Sequence, residues 1–491
     1  MSATTIVQDL LKEMQAESAK TVSQKENAIG VVRSGDKIVL PTDMSYKDAH
    51  KWLICQEEAE ESTVRVLSSI ECFPLDGVIA LSRAMREVYG FTDIRDKGFW
   101  GQDVAPTFVE VPTATGYESA PLGMIKPPKW EGGYLKAEIN GAKILIAGEV
   151  KRKFEKETQD IIHKTKQLLL DKSIYRGHAV HMDLSWYNGS RPFDLMNDSP
   201  KFMKISDTKL ILNAVLRFEL ESSIFMLIEH TKVCMEHGIA IKHGALLKGT
   251  FGTGKTLTAK VIAKKCQDNG WTFIYLKSAD QLASGLRIAK MYAPACVFVE
   301  DIDTVVNERD DGMNELLNIL DGVDTKDAPI ITVLTTNKPE DIEPSFLRAG
   351  RIDSIIHFAE PDAETAMEFV RSFSGAYLKA GEDLKHTGEL LSGLVPAFIC
   401  EAVNKAKRYT IHRTGASDIT GLMLANDLEL AAQSVSDHYS HLKPKEFTPE
   451  QILAKQLEAV NTHGLKDTIK ETIAESGFDE GLMDAIKDHV N

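Results

Sequence analysis

Eight residues, Gly249-Thr250-Phe251-Gly252-Thr253-Gly254-Lys255-Thr256, follow the apolar run Ala245-Leu246-Leu247 and precede a helix-patterned stretch opened by Leu257. Three glycines let a backbone curl until consecutive N–H groups point inward, and a helix that starts at such a loop presents its positive end to the same place. The chemistry this permits is the cradling of a polyphosphate. Lys255 would reach the β- and γ-phosphates, and the Thr256 hydroxyl would ligate Mg²⁺. A glycine-rich turn with a surface lysine is the plain alternative, but the strand-loop-helix context favours ATP with Mg²⁺.

Two further constellations follow in the chain. Ala295-Cys296-Val297-Phe298-Val299 is a buried-strand pattern that delivers Glu300, Asp301 and Asp303 at its carboxyl end, where parallel sheets place ligands. One carboxylate there can hold the cation's water shell and its neighbour can polarise an attacking water. By position Glu300 takes the metal side with Thr256, and Asp301 takes the water side. A second apolar run, from Ile330 to Leu334, ends in Thr335-Thr336-Asn337, and Asn337 is suited to bond both a γ-phosphate and a water. Finally Arg348 and Arg351 stand three apart around Gly350.

Taken in order and spacing, this set resembles the AAA clade of the AAA+ P-loop ATPases over roughly residues 198–439. The resemblance implies ATP hydrolysis, a ring of six or seven identical subunits, and arginines at 348 and 351 that reach the nucleotide of a neighbouring copy. Planar guanidinium forks suit the charge on a transferred phosphoryl group. Three places depart from the family. Its acidic strand ends in Asp-Glu, whereas Glu300-Asp301 stands here. The interval Lys277 to Pro294 is short and lacks an aromatic pore loop. The family's Gly-Ala near the lid helix appears as Pro396-Ala397. The short interval, the Glu-Asp order and the run Leu316 to Val323 are similar to the mitochondrial AAA translocases of the Rieske iron-sulfur protein, although this sequence shows no membrane segment.

The elements that must position these residues read as an α/β fold: a parallel sheet with flanking helices over 198–360, a helical lid over 361–440 and a helical extension over 441–491. An α+β domain over 1–197 precedes them and is the expected client- or partner-binding part. It includes a hairpin in which Leu135, Ala137 and Ile139 alternate up to Asn140-Gly141 and Ile144 and Ile146 alternate beyond, then a charged helix from Glu149 to Lys172. Length, 491 residues with 43% hydrophobic content, places no limit on core size. A formal charge of −15 argues against broad attraction to nucleic acid or anionic membranes. Six scattered cysteines without CxxC pairs suit a reducing, cytoplasmic setting, and no run approaches a membrane span.

His178 and His181 would face opposite ways on a strand, which disfavours a shared metal. Trp100, Trp130, Lys126 and Lys129 mix aromatic and basic character, yet ordinary core and surface use accounts for them. Asn307 to Gly312 lies where the family carries a second pore-facing loop, and a solvated charged turn explains its composition equally well. The function expected is an ATP-driven remodeller or translocator of a protein or protein assembly. A nucleic-acid-linked motor or loader and a nucleotide-gated scaffold with slow hydrolysis stay open as alternatives.

Overall fold

The computed structural model describes residues 32–34, 37–41, 43–90, 93–97, 102–141, 143–187, 193–194, 197–302, 320, 328–339, 342, 348 and 350–442. Readings that involve Trp100, Asp303, 307–312, most of 316–323 and 443–491 lie outside them. Two compact units emerge. Ile211–Ala214, Thr250–Gly254 and the described residues after Phe358 form one, and the remaining described residues form the other.

In the larger unit, short strands β1 (Val32–Ser34) and β2 (Lys37–Val39) pair with each other, and α1 (Tyr46–Glu61) leads into β3 (Thr63–Glu71). Helix α2 (Pro74–Tyr89) follows, with proline at its first turn, where a missing N–H costs nothing. Strands β4 (Asp93–Lys97), β5 (Asp103–Val104), β8 (Met124–Lys126), β9 (Tyr134–Ile139) and β10 (Lys143–Lys151) join β3 in a six-stranded sheet ordered β3-β10-β9-β8-β4-β5, while β6 (Thr107–Thr113) and β7 (Gly116–Leu122) pair separately. The expected hairpin is present, with Ile144 opposite Ile139 and the Asn140 N–H donating to Lys143 O at 3.0 Å. The charged helix begins later than its composition suggests. Glu149 to Lys151 stay in β10, since Val150 is fully buried on the sheet's core face, and α3 runs only over Glu155–Asp171.

A seven-stranded sheet forms the other layer of this unit. Its strands are β11 (Ala179–Met182), β12 (Lys201–Phe202), β13 (His243–Lys248), β14 (Thr272–Leu276), β15 (Ala295–Val299), β16 (Ile330–Thr336) and β17 (Ser354–His357), in the order β12-β11-β14-β15-β16-β13-β17. All pairs are parallel except β11 with β12. β15 and β16 are buried at every residue, as a sheet covered on both faces requires. Helices α4 (Lys255–Asp268) and α5 (Leu282–Met291) are its crossovers. The boundary expected near Asp198 falls between β11 and β12, so the segment before it contributes a strand to this sheet.

The two sheets share one hydrophobic core. At its centre Phe73 meets Tyr175, Trp186 and Phe193 edge-on, with ring centroids 5.4 to 5.7 Å apart. Beside it lies the fully buried carboxylate of Asp76, which accepts from Ser173 Oγ (2.6 Å), the Ile174 N–H (3.0 Å) and the Tyr292 hydroxyl (3.0 Å). Tyr292 in turn accepts from the Phe73 N–H at 2.9 Å. Burial pushes the Asp76 carboxyl upward and these three donors oppose it. Trp130 is a core residue too, stacked on Phe154 at 5.5 Å with its indole N–H on Glu157, and serves no base-stacking surface.

The second unit contains α6 (Ala363–Ser374), α7 (Lys385–Leu391), α8 (Pro396–Thr414) and α9 (Ala425–Leu442) around its own core. Asp362 caps α6 by accepting from the Thr365 N–H at 2.8 Å, and α8 starts on Pro396 and stops at Gly415 in the left-handed region. Among the described residues no helix is long and apolar enough to cross a membrane.

Because Tyr292 supplies both a donor and an acceptor in a dry core, Tyr292→Phe should cost about 1–3 kcal/mol while keeping the ring packing. Chemical denaturation of the two proteins side by side measures this, and an unchanged midpoint would show that the hydroxyl is dispensable.

Candidate functional site

Parallel pairing brings the strand ends to one level. Lys248 lies opposite Thr336, Val299 opposite Leu334, and Tyr275 opposite Phe298. The residues just past those ends therefore meet. Lys255, only 7% exposed, donates from Nζ to Gly249 O at 2.7 Å and to Asn337 Oδ1 at 2.8 Å. Asn337 Nδ2 donates to Asp301 Oδ1 at 2.6 Å. An ammonium on one side and a carboxylate on the other leave only this orientation of the amide. A second cluster adjoins it: the Thr256 hydroxyl donates to Glu300 Oε1, and the Tyr275 hydroxyl donates to Glu300 Oε2 at 2.7 Å.

Successive carboxylates serve different partners here because the backbone turns sharply between them. Asp301 has φ of 51°, in the left-handed region that non-glycine residues seldom occupy. Its N–H donates to Thr335 Oγ1 at 3.1 Å, and the Ile302 N–H donates to Thr335 O at 3.0 Å, which ties the turn to the neighbouring strand. Held strain of this kind collects at working sites.

The glycine loop departs from ordinary backbone where its sequence requires. Gly252 has φ of 79°, and a Cβ placed on it would come within 3.1 Å of Ala397 Cβ. The Pro396-Ala397 start of α8 is thus packed against the loop despite departing from Gly-Ala. Gly249 lies so close to β17's end that a Cβ would sit 2.5 Å from Phe358 O. Thr253 Oγ1 braces the loop on Thr250 O at 2.8 Å, Thr250 Oγ1 reaches Glu360 at 3.3 Å, Phe251 is exposed, and Leu257 is half-buried in the first turn of α4.

Arg348 and Arg351 are placed elsewhere. Arg348 is exposed and Arg351 half-buried, and the turn between them closes through the Arg351 N–H on Arg348 O at 3.0 Å. Asp353 staples this turn to the amino end of β13, accepting from Gly350 N–H and Gly244 N–H at 2.9 Å each while its own N–H donates to Gly244 O at 2.7 Å. Five residues of extended strand separate Gly244 from Gly249, about 16 Å. The arginines thus stand at the opposite edge of the sheet from the lysine and the carboxylates of their own chain.

Residues 245–360 match the family described as ATPase family associated with various cellular activities (AAA). This segment is an AAA ATPase domain. The chain is 28% identical over 230 residues to the ATP-dependent zinc metalloprotease FtsH of Helicobacter felis, covering 43% of this chain and 36% of that protein. It is 36% identical over 166 residues to the 26S proteasome regulatory subunit 4 homolog of Encephalitozoon cuniculi, covering 30% and 39% respectively. It is 32% identical over 197 residues to the 26S proteasome regulatory subunit 8 homolog of Schizosaccharomyces pombe, covering 36% and 48%. The chain spans less than half the length of these curated relatives.

The donors in the AAA domain fit magnesium. A hydroxyl and one carboxylate, both hard oxygen donors, suit an ion that keeps most of its waters and shares phosphate oxygens. Among the described residues no three His, Cys, Asp or Glu side chains converge as an all-protein metal cage. His178 and His181 are engaged separately, His178 edge-on with Phe202 and His181 with Tyr275.

Tyr275 escaped the reading of the sequence. A phenol at the penultimate position of Thr272-Phe273-Ile274-Tyr275-Leu276, among apolar neighbours, was the available signal. Burial, and then the carboxylate of Glu300, push this phenol's pKa upward, so it stays a neutral donor.

Gly249→Ala would force its methyl group into Phe358 O and displace the start of the loop. At least tenfold weaker binding of a fluorescent ATP analogue is expected, a loss of about 1.4 kcal/mol or more. Unaltered affinity would mean that the loop has slack the close approach does not suggest.

Proposed function

We propose that the chain is an ATP-hydrolysing AAA+ ring ATPase that remodels or translocates a protein or protein assembly. The observation that supports it most is the Lys255-Asn337-Asp301 relay beside the Thr256-Glu300 pair on one edge of a parallel sheet. Lys255 and the loop amides bind phosphate oxygens, and Thr256 with Glu300 would hold Mg²⁺, whose chemistry is to neutralise charge on the phosphates. Asp301 and Asn337 orient the attacking water. Because Asn337 holds Lys255 through its oxygen and Asp301 through its nitrogen, a phosphate that draws the ammonium away also alters the grip on the water-side carboxylate.

Arg348 and Arg351 act on the nucleotide of an adjacent copy in this reading. Support comes from their place about 16 Å from Gly249 along β13, farther than an arginine side chain extends. The ring would close with six or seven copies. The client reading draws on the short interval after β14: a single turn at Ala279–Gln281 and α5 occupy it, leaving little chain for a threading loop. An assembled or folded protein is therefore the client expected, selected by the six-stranded sheet. Two relatives named as proteasome regulatory subunits are in keeping with work on proteins.

Asp301→Asn should keep nucleotide binding while turnover falls by about 10² or more, as loss of a general base does, and Lys255→Ala should lose binding itself. Steady-state phosphate release and nucleotide affinity separate the two, and ordinary hydrolysis by both variants would refute the site. Mixing Arg348→Ala with Lys255→Ala protein should restore part of the activity if the arginines act across a subunit boundary; confirmed mixed rings with no recovery at any ratio would count against that. Co-purification with ATP-trapped Asp301→Asn protein distinguishes clients, since nuclease-sensitive nucleic acid in place of protein would favour a motor.

A further inference from the structure

We propose that Tyr275 is a positioning residue for the metal-side carboxylate, and that it compensates for the Glu300-Asp301 order. This rests on the ATPase reading above. Glu300 carries one more methylene than an aspartate at the same strand end, and so one more torsion through which its carboxylate can wander. A single donor fixes one oxygen and leaves the other free to pivot. Here each oxygen has its own donor from a different element: Thr256, on α4, bonds Oε1, and Tyr275, on β14, bonds Oε2 at 2.7 Å.

The phenol is itself held. Its ring stacks on Phe298 of β15 with centroids 5.6 Å apart and planes 22° from parallel, and meets the His181 ring of β11 edge-on at 5.2 Å. Three adjacent strands therefore set where the hydroxyl stands. A hydroxyl oxygen can give a lone pair to a cation while its proton remains on a carboxylate, so the Thr256-Glu300 bond survives when the cation arrives. The carboxylate then presents an orientation fixed in advance, which is the usual work of groups behind a metal ligand.

The test uses the full chain with Mn²⁺ as the probe cation, its binding followed by electron paramagnetic resonance in the presence of a slowly hydrolysed ATP analogue. Tyr275→Phe keeps the ring and removes the hydrogen bond. About tenfold weaker Mn²⁺ binding is expected, with the affinity for a fluorescent ATP analogue in EDTA unchanged. In a Glu300→Gln background the same tyrosine substitution should weaken Mn²⁺ no further, because the partner it positions has already lost its charge. Equal Mn²⁺ affinity in Tyr275→Phe and the parent would overturn the assignment alone, as would an undiminished tenfold loss in the Glu300→Gln background, which would trace the effect to ring packing. A parent chain that binds no nucleotide would overturn the ATPase reading and this assignment with it.

Discussion

Register in the parallel sheet is the constraint on which the site depends. Side chains alternate between faces along a strand, so a slip of one residue between β15 and β16 would turn Glu300 and Asn337 away from their partners. What holds the register is burial on both faces: every residue of β15 and β16 is enclosed, and a shifted strand would expose apolar surface at about 25 cal/mol per Å². With strand ends level, Lys255, Asn337 and Asp301 fall within hydrogen-bond reach although the bonded pairs lie 82 and 36 positions apart in the chain. The chemistry is thus a by-product of packing that its own residues do little to enforce.

At that edge the two carboxylates have to be told apart, and backbone geometry does this where side-chain identity does not. The left-handed turn at Asp301, anchored on Thr335, rotates one carboxylate toward Asn337 while Glu300 stays aligned with Thr256 and Tyr275. On the proposed reading, Glu300-Asp301 in place of Asp-Glu shortens the water-side arm and lengthens the metal-side arm. A misplacement near 1 Å can cost about 100-fold in rate. The strained turn and the Tyr275 bond act on these two arms separately, each shortening the list of positions its carboxylate can adopt.

Local signals carried the reading of the sequence furthest. The glycine loop, the apolar strand before Glu300 and the hairpin at Asn140-Gly141 each declare themselves within a dozen residues, because turn chemistry and burial period are short-range properties. Tyr275 was illegible for the opposite reason: its meaning lies in a bond to a residue 25 positions away, which no spacing rule announces. The strand Ala179–Met182 was missed as part of the nucleotide sheet since it is four residues long and lies before the apparent boundary at Asp198. The helix start at Glu155 was set too early because a charged composition suits the exposed face of a strand as well as a helix. For Arg348 and Arg351 the residue types were plain, but their place at the amino edge of the sheet follows only from the Asp353 staple.

That staple has a consequence for how subunits would communicate. Asp353 fixes the arginine turn to the first residues of β13, and the same strand ends five residues later in the glycine loop. A strand buried on both faces between β16 and β17 is stiff, so Gly244 beside the arginine turn and Gly249 past the strand's other end are held at a fixed separation. On the ring reading, one subunit's phosphate state would be relayed along β13 to the arginines it offers its neighbour. Tyr292 extends the same logic inward. It sits at the end of α5, just before β15, and its hydroxyl is bonded to the start of α2 in the other sheet's layer. A buried hydrogen-bond network thus joins the segment just before β15 to the first turn of α2, in the layer of the six-stranded sheet.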